Sequence, residues 1–452
     1  MGWLTLDQEI HHKVGLLVDG ANIEPAACEG VGELYMEKIW WLFVYDLQKQ
    51  SGLVNVPDYV VFPQGSIADF RWNPDSPYWI RKNNDVLYLE KNGKFLCPIE
   101  FTERPAYYSK KTSQGTPMKN VGVIRGKHGL MVCQPLVCAN WVDGGQCRFC
   151  NMNTVQECDN KAVLKKKAED VGEVAAEMLK EGIDWHIVIS AGQPPKGRTW
   201  FEDHVEILES IKKHTGLEMI PGTDNESPPE NLAELERMKA TGIQCMFTNI
   251  EIWDPDIFKA MCPGKAKRYG QQYFIDACDR QVEHWGRGKS WSAMVCGIEP
   301  RDSFLQGFRI MAEKGTAMLP LCWVPNAGSK LQGHRSPEPG WHVETQEMCQ
   351  DILQEVLPEI GGERAYYTNY GCPSCMTLSV HHDVHRKRFN IETACPNPHG
   401  PLGSCEHDKK SVYSGKFKEL DRFLNGKSGA LMHGDVRREA RPAVQPAAAC
   451  AK

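Results

Sequence analysis

The architecture is indicated most directly by one continuous stretch, Gly129-Leu-Met-Val-Cys-Gln-Pro-Leu136, which runs into Cys138-Ala-Asn-Trp-Val-Asp-Gly-Gly-Gln-Cys147-Arg-Phe-Cys150. The first segment is an unbroken apolar run, which is typical of a strand buried on both faces of a sheet. The second carries cysteines spaced C-x8-C-x2-C. Three soft thiolates suit an iron–sulfur cluster, or a zinc knuckle completed by Cys133 or Cys158. Spacing alone leaves both interpretations open.

The same alternation of a short apolar strand with an amphipathic helix continues after the cysteines. Strands are predicted at 184–190, 216–220, 244–251, 291–297 and 317–324, and helices at 161–181, 202–214, 229–240, 271–285 and 302–315. At least six such units predict an α/β fold, either an open doubly wound sheet or a (βα) TIM-type barrel. We expect the barrel, complete or partial, because the unusual residues all follow strand ends, where barrels carry their chemistry.

The barrel is expected to be flanked by extensions. We predict an N-terminal α+β extension over 1–124, the barrel over 125–345, a Cys- and His-rich extension over 346–432 and a disordered tail over 433–452. The first extension includes an aromatic-rich helical stretch at 34–47 and strand-like runs at 59–62 and 86–89. The barrel is followed by a predicted helix at 346–357.

Composition narrows the class of protein. The chain has 452 residues, 24% of them charged, and a formal net charge of −6, which disfavours a general nucleic-acid binder held by phosphate contacts. No apolar run approaches the length of a membrane span. Asp7 and Glu9 stand where a secretory signal would be basic and then apolar. We therefore expect a cytoplasmic protein, and most of its 18 cysteines are expected to be reduced core thiols.

The cysteine segment resembles the cluster loop of the radical S-adenosylmethionine (radical SAM) superfamily. In that family the first barrel strand leads into three cysteines, with an aromatic residue before the last, the place that Phe149 takes here. The family's usual spacing is C-x3-C-x2-C, so the first gap departs from it. Cys138 is preferred to Cys133 as first ligand because it lies beyond the strand end. The resemblance covers roughly 125–335, and its texture is nearest the biotin-synthase-like branch.

The resemblance implies site residues at four further strand ends. Ser190-Ala191-Gly192 stands for the turn that holds the SAM amino group, with Gln193 replacing the family's acidic residue. Glu251 would contact SAM, or would be a salt-bridged strand-end carboxylate; Arg268 lies out of register with the family's carboxylate-binding arginine. Backbone along the adenine would come from Cys296, Gly297 and Ile298, and Val324 begins the loop after the sixth strand.

A second cysteine cluster lies near the end of the chain. Cys372 and Cys375 form another C-x2-C, followed by Cys395 and Cys405 with several histidines between and after them. This cluster could hold an auxiliary iron–sulfur cluster or a structural zinc ion. The remaining interpretation is that these are reduced thiols in a turn.

By this resemblance the chain is predicted to be an oxygen-sensitive radical SAM enzyme. Cys138, Cys147 and Cys150 would hold a [4Fe-4S] cluster that reductively cleaves SAM, and the 5′-deoxyadenosyl radical would abstract hydrogen from a small-molecule substrate. An external electron donor such as flavodoxin or ferredoxin is implied. Substrate and overall reaction (rearrangement, cleavage, methylation or sulfur insertion) stay open. The alternatives are a non-enzymatic zinc or iron–sulfur binding α/β protein and a hydrolytic zinc barrel; three thiolates disfavour the latter.

Overall fold

The computed structural model describes most of the chain. The described residues are 3–28, 59–84, 86–102, 105–142, 144–153, 163–195, 198–225, 232–326, 328–363 and 377–391. They belong to one compact unit that covers residues 1–405. The predicted helix at 34–47, the second cysteine cluster and the predicted tail lie outside the described residues.

A curled seven-stranded sheet forms the centre of the molecule. Its strands are β8 (Val123–Arg125), β9 (Gly129–Cys133), β10 (His186–Ser190), β11 (Ile220–Asn225), β12 (Ile243–Phe247), β13 (Ser290–Cys296) and β14 (Thr316–Cys322). The order is β14-β13-β12-β11-β10-β9-β8. β9 to β14 run parallel, and β8 is antiparallel to β9. Within the described ranges β8 and β14 are the two edges, so the sheet is a partial barrel, as predicted.

Helices cover the outside of this sheet. They are α2 (Ala168–Lys180), α3 (Phe201–Thr215), α4 (Leu232–Ala240), α5 (Pro255–Met261), α6 (Pro263–Arg268), α7 (Gln271–Trp285) and α8 (Arg301–Lys314). Helix α1 (Leu6–Asp19) comes before the barrel in the chain. Three helices follow the barrel: α9 (Pro339–Val356), α10 (Pro358–Gly361) and α11 (His381–Phe389). The apolar faces of the helices that cover the sheet pack against the outward side chains of the strands, for example Val171 and Val174 of α2 against Leu130 and Val132 of β9. The strands are consequently buried on both faces, and all seven residues of β13 are buried.

The strand at β11 differs from the sequence prediction, which placed it at 216–220. It lies at Ile220–Asn225 and includes Pro221 and Gly222, residues that ordinarily disfavour strands. Gly222 has φ +133°, and a Cβ there would lie 2.0 Å from the Ile187 carbonyl oxygen. Gly222 pairs with Ile187 of β10, whereas the pairing with β12 is irregular between Ile220 and Thr223. The neighbouring strands therefore hold this segment in the sheet despite its residue types.

Two smaller sheets precede the barrel. One has the order β1-β4-β5-β6, formed by Asn22–Ile23, Tyr78–Asn83, Val86–Lys91 and Lys94–Pro98; the other has the order β3-β2-β7, formed by Ile67–Asp69, Tyr59–Val61 and Glu100–Phe101. The strand-like runs predicted at 59–62 and 86–89 therefore do form strands. Helix α1, which opens with a capping box of Thr5 and Gln8, was not predicted.

A buried ionic cluster joins the beginning of the chain to its C-terminal part. Lys13 of α1 lies 2.8 Å from the Asp383 carboxylate of α11, and both side chains are almost fully buried. The Ser66 hydroxyl donates to the same carboxylate at 3.0 Å. Burial raises the pKa of nearby Glu9 to about 8. The folded state therefore favours protonated Glu9, and its ionisation costs stability as the pH rises from about 4.5 toward 8.

Candidate cofactor and substrate cavity

The C-terminal ends of the parallel strands surround a cavity of about 230 Å³. It is lined by most of the predicted site residues, namely Cys138, Cys147, Phe149, Cys150, Ser190, Ala191, Gly192, Glu251 and Val324. Cys296, Gly297 and Ile298 are not among its lining residues. Cys296 is buried beside Cys322 and Cys349, and the α-carbon of Gly297 faces His342 and Pro337.

The three predicted cluster cysteines are all partly accessible, in contrast to the core cysteines. The thiol groups of Cys138 and Cys150 nevertheless lie in a buried environment. This burial raises the pKa of the Cys138 thiol and holds the pKa of the Cys150 thiol well above its usual range. Cys133 is buried, and its Sγ faces the Pro135 carbonyl at 3.7 Å rather than the cavity. The structure thus brings Cys138, not Cys133, to the cavity.

The long loop between the first two cysteines is held in place by hydrogen bonds to its backbone. Asn153 clamps Cys138, accepting from its amide at 3.0 Å and donating to its carbonyl at 3.3 Å. The Gly264 amide donates to the Gly145 carbonyl at 2.8 Å. Arg268 donates to the carbonyls of Pro194 and Ala139, at 2.6 and 3.3 Å. Arg268 therefore ties the cysteine loop to the loop after β10, a role that the sequence did not reveal.

A buried histidine supports the start of the same loop. His204 Nδ1 lies 2.9 Å from the Asp224 carboxylate, and its Nε2 lies 2.6 Å from the Gln134 carbonyl. Both partners are acceptors, so the ring is held between two oxygen atoms. The resulting bridge joins α3, β11 and the residue that follows β9.

Glu251 combines an unusual backbone with a buried ion pair. Its φ is +70°, a left-handed conformation that costs a non-glycine residue about 1 kcal/mol or more. Its carboxylate lies 2.8 Å from Lys265 Nζ. Burial alone would lower the pKa of Lys265, but the adjacent Glu251 carboxylate raises it above its usual value. Glu251 is consequently salt-bridged, as one of the two interpretations expected, and it also lines the cavity. Its contact with SAM stays a prediction.

Further lining residues were not singled out from the sequence. They include Arg125, Asn140, Thr223, Phe247, Lys265, Trp291 and Asn326. Asn140 is 4% exposed, and neither its Nδ2 nor its Oδ1 has a hydrogen-bond partner. Such a buried amide normally has a partner. No sequence signal marks it, because an asparagine in a loop is most often a turn residue.

The residues present fit a group bound at the cysteine end of the cavity. The unpartnered Asn140 amide could bond to it, and three thiols supply soft ligands. Gly192 lets the loop after β10 pack closely against the first cysteine, since a Cβ there would lie 2.1 Å from the Val137 carbonyl oxygen and 2.5 Å from the Cys138 Cβ. Among the residues that the structure describes, no group of three or more His, Cys, Asp or Glu is arranged around a single metal ion.

The fold and the site together define the class of protein: an α/β partial barrel with a thiol-rich site at the C-terminal ends of its strands. No protein-family model matches the chain. It is 26% identical over 320 residues to bacteriochlorophyllide c C-7(1)-hydroxylase from Chlorobaculum limnaeum, an alignment that covers 67% of this chain and 80% of that protein.

Two solved structures are similar to part of the chain. The [FeFe]-hydrogenase maturase HydG from Carboxydothermus hydrogenoformans has a TM-score of 0.37 and 17% identity, over 52% of this chain and 53% of that chain. A radical SAM methyltransferase from Sphaerobacter thermophilus has a TM-score of 0.38 and 13% identity, over 62% and 75%. The chain thus spans about half the length of the maturase.

None of the helices in the described ranges combines the length and apolar character that a bilayer crossing requires.

Proposed function

We propose that the chain binds a [4Fe-4S] cluster through Cys138, Cys147 and Cys150 and cleaves SAM to functionalise a small molecule. The observation that carries the proposal is the convergence of these three thiols with Gly192 and Glu251 around one cavity. When bound, the cluster and SAM would supply a 5′-deoxyadenosyl radical able to abstract hydrogen from an unactivated carbon. The residues around the cavity would hold and orient the bound groups and exclude water.

The cavity walls suit that task. Gly192 packs directly against Val137 and Cys138, where no side chain would fit, and this close packing fixes the cysteine end of the cavity. The Lys265–Glu251 pair places a fixed carboxylate beside it. Below these polar groups the walls are apolar, which keeps water from a reactive intermediate. The boundaries predicted at 125 and 345, and a second metal centre at Cys372 and Cys375, remain part of the proposal.

The test is anaerobic reconstitution with iron and sulfide, followed by electron paramagnetic resonance with and without SAM and an assay for 5′-deoxyadenosine. Cys138→Ala, Cys147→Ala and Cys150→Ala should each lose the four-iron signal and the product. Cys133→Ala and Cys278→Ala are matched controls, because both thiols are buried away from the cavity. Tight zinc without a four-iron signal would instead assign the loop to a structural metal site.

The relative suggests one candidate reaction, hydroxylation at an unactivated carbon of a chlorin-type substrate. Water would supply the oxygen atom, and SAM, cleaved to methionine and 5′-deoxyadenosine, would be the two-electron oxidant. This reaction is favoured by an alignment that spans 80% of the hydroxylase and by the apolar walls of the cavity. The reconstituted enzyme, SAM, a reductant and bacteriochlorophyllide c would be incubated and the pigment analysed by mass spectrometry. A product heavier by one oxygen, absent with Cys147→Ala, would support the reaction; SAM cleavage without it would assign another substrate.

A further inference from the structure

The cysteine loop runs antiparallel to the segment that joins α5 to α6. The Arg148 amide donates to the Met261 carbonyl at 2.8 Å, and the Gly264 amide donates to the Gly145 carbonyl, also at 2.8 Å. Both bonds belong to one register, in which each step forward along the loop is matched by one step back along the other segment. A Cβ on Gly264 would lie 2.4 Å from the Gly145 carbonyl oxygen, so the missing side chain permits this close approach.

That register places Cys262 directly opposite Cys147. Opposed residues of an antiparallel pair have Cα atoms about 4.5–5.5 Å apart, a separation that a disulfide can span. The side chains also meet, because the Cys262 thiol hydrogen-bonds with Cys147. Cys262 is fully buried in the apolar cluster against which Cys147 packs, whereas Cys147 is partly accessible. The pair thus combines a thiol that a reagent can reach with a second thiol directly behind it.

Cys150 is the alternative partner for Cys147, because the two residues form the C-x2-C pair of the loop. The Cys150 sulfur accepts from the Met152 amide at 3.4 Å, so it is directed toward the backbone that follows it. The Cys262 thiol, in contrast, is directed at Cys147 itself. The geometry therefore favours Cys262 as the thiol that reacts with Cys147.

We propose that Cys147 and Cys262 form a reversible disulfide in the cluster-free chain, and that this bond withdraws Cys147 from the metal site. The oxidant is a low-molecular-weight disulfide such as glutathione disulfide. The Cys147 thiolate attacks it, forms a mixed disulfide and releases one small thiol. The Cys262 thiol then loses its proton, attacks the Cys147 sulfur and releases the second small thiol. The two protein thiols lose two electrons and two protons in total, and the oxidant becomes two thiols.

The disulfide would control when the site can be loaded. This consequence rests on the proposed function, in which Cys147 is one of three cluster ligands. While the bond is present, only two of those thiols are available, so the cluster can be inserted only after reduction. The bond also keeps Cys147 from irreversible oxidation to the sulfinic acid.

The linkage can be mapped in the full, cluster-free chain. The protein is treated anaerobically with glutathione disulfide, its remaining thiols are alkylated, and it is digested with trypsin. Cleavage after lysine and arginine places Cys147 in the peptide 128–148 and Cys262 in the peptide 260–265. The wild type should yield these two peptides joined, with the bond located at Cys147 by fragmentation, and dithiothreitol should separate them.

Two variants and an iron assay test the consequence. Cys262→Ser should stop at the mixed disulfide and retain one glutathione on Cys147. Cys278→Ser is the matched control, because this thiol is equally buried but faces the Thr248 carbonyl at 3.6 Å; it should form the disulfide like the wild type. The oxidised wild type should lose most of its iron uptake on reconstitution and regain it after reduction.

Three results would overturn the inference. They are a bond from Cys147 to Cys150 in the peptide 149–161, an absence of any disulfide at Cys147, and an oxidised chain that takes up as much iron as the reduced chain. The mapping in the wild type stands even if Cys262→Ser does not fold. Because the linkage is mapped in protein without iron, its failure is distinct from failure of the proposed function, which a reduced chain unable to bind a four-iron cluster would refute.

Discussion

The buried Lys265–Glu251 pair permits a quantitative prediction about the cavity. The two charged atoms lie 2.8 Å apart, and the side chains are only 8% and 12% exposed. At an effective dielectric constant of about 20, their attraction is roughly 6 kcal/mol before desolvation is subtracted. Removing one member leaves the other charge buried and unpaired, which typically costs about 3–5 kcal/mol. We expect Lys265→Met to lower the free energy of unfolding by that amount.

The second substitution separates the ion pair from other contacts of Lys265. The ammonium also donates to the Asn249 carbonyl at 3.1 Å and lies 4.7 Å from the centre of the Phe274 ring. The double variant Lys265→Met/Glu251→Gln removes the stranded charge, so it should be more stable than Lys265→Met alone. A coupling free energy of about 2 kcal/mol or more is expected.

The assay is guanidinium unfolding of the anaerobic protein followed by far-ultraviolet circular dichroism. Lys314→Met is the control, because its partner Asp279 and Lys314 itself are more than one-third exposed, and such a pair contributes at most about 1 kcal/mol. If Lys265→Met costs no more than Lys314→Met, or if the two cavity substitutions are additive, the electrostatic account of this pair is wrong.

Three further outcomes follow from the geometry. Gly192→Ala should lose most of its iron after reconstitution, because the new Cβ would overlap the Val137 carbonyl and displace the adjacent Cys138. Gly340→Ala, with nothing within 4 Å of its new Cβ, should bind iron like the wild type. Equal iron contents would show that the close packing at Gly192 does not position Cys138. Asn140→Ala should retain iron but weaken the SAM-induced change in the resonance spectrum, and an unchanged SAM affinity would show that its amide does not meet the cofactor. Glu9→Gln should be more stable than the wild type above pH 5, by up to about 1.4 kcal/mol for each pH unit toward 8; parallel stability–pH curves would refute the raised pKa.

Much of the barrel was predictable because its strands and helices repeat two simple periodicities. The helix predicted at 271–285 is the observed α7, and β13 and β14 lie within one or two residues of their predicted bounds. Local chemistry also located the cysteine loop. The failure at β11 has the opposite cause. Gly222 pairs with Ile187 of β10, and β12 pairs with Ile220 and Thr223 on either side of an irregularity, so neighbouring strands rather than local sequence hold Pro221 and Gly222 in the strand.

The extensions show a similar division. The capping box of Thr5 and Gln8 is a local sequence signal for the start of α1. The contact of α1 with α11, through Lys13 and Asp383, could not be predicted, because 370 residues separate the two side chains. Long-range pairing of buried charges depends on how the elements pack, which no local pattern records.

The sequence by itself determined the alternation of strands and helices, the spacing of the three cysteines and the strand ends at which unusual residues collect, because each follows from residue type and spacing along the chain. Only the tertiary structure decided that Cys138 rather than Cys133 reaches the cavity and that Lys265 pairs with Glu251. It also decided that the Asn140 side chain is buried without a hydrogen-bond partner and that Arg125 lines the cavity. These facts depend on which side of a strand or loop faces inward once the sheet curls, and that is fixed by packing rather than by sequence order.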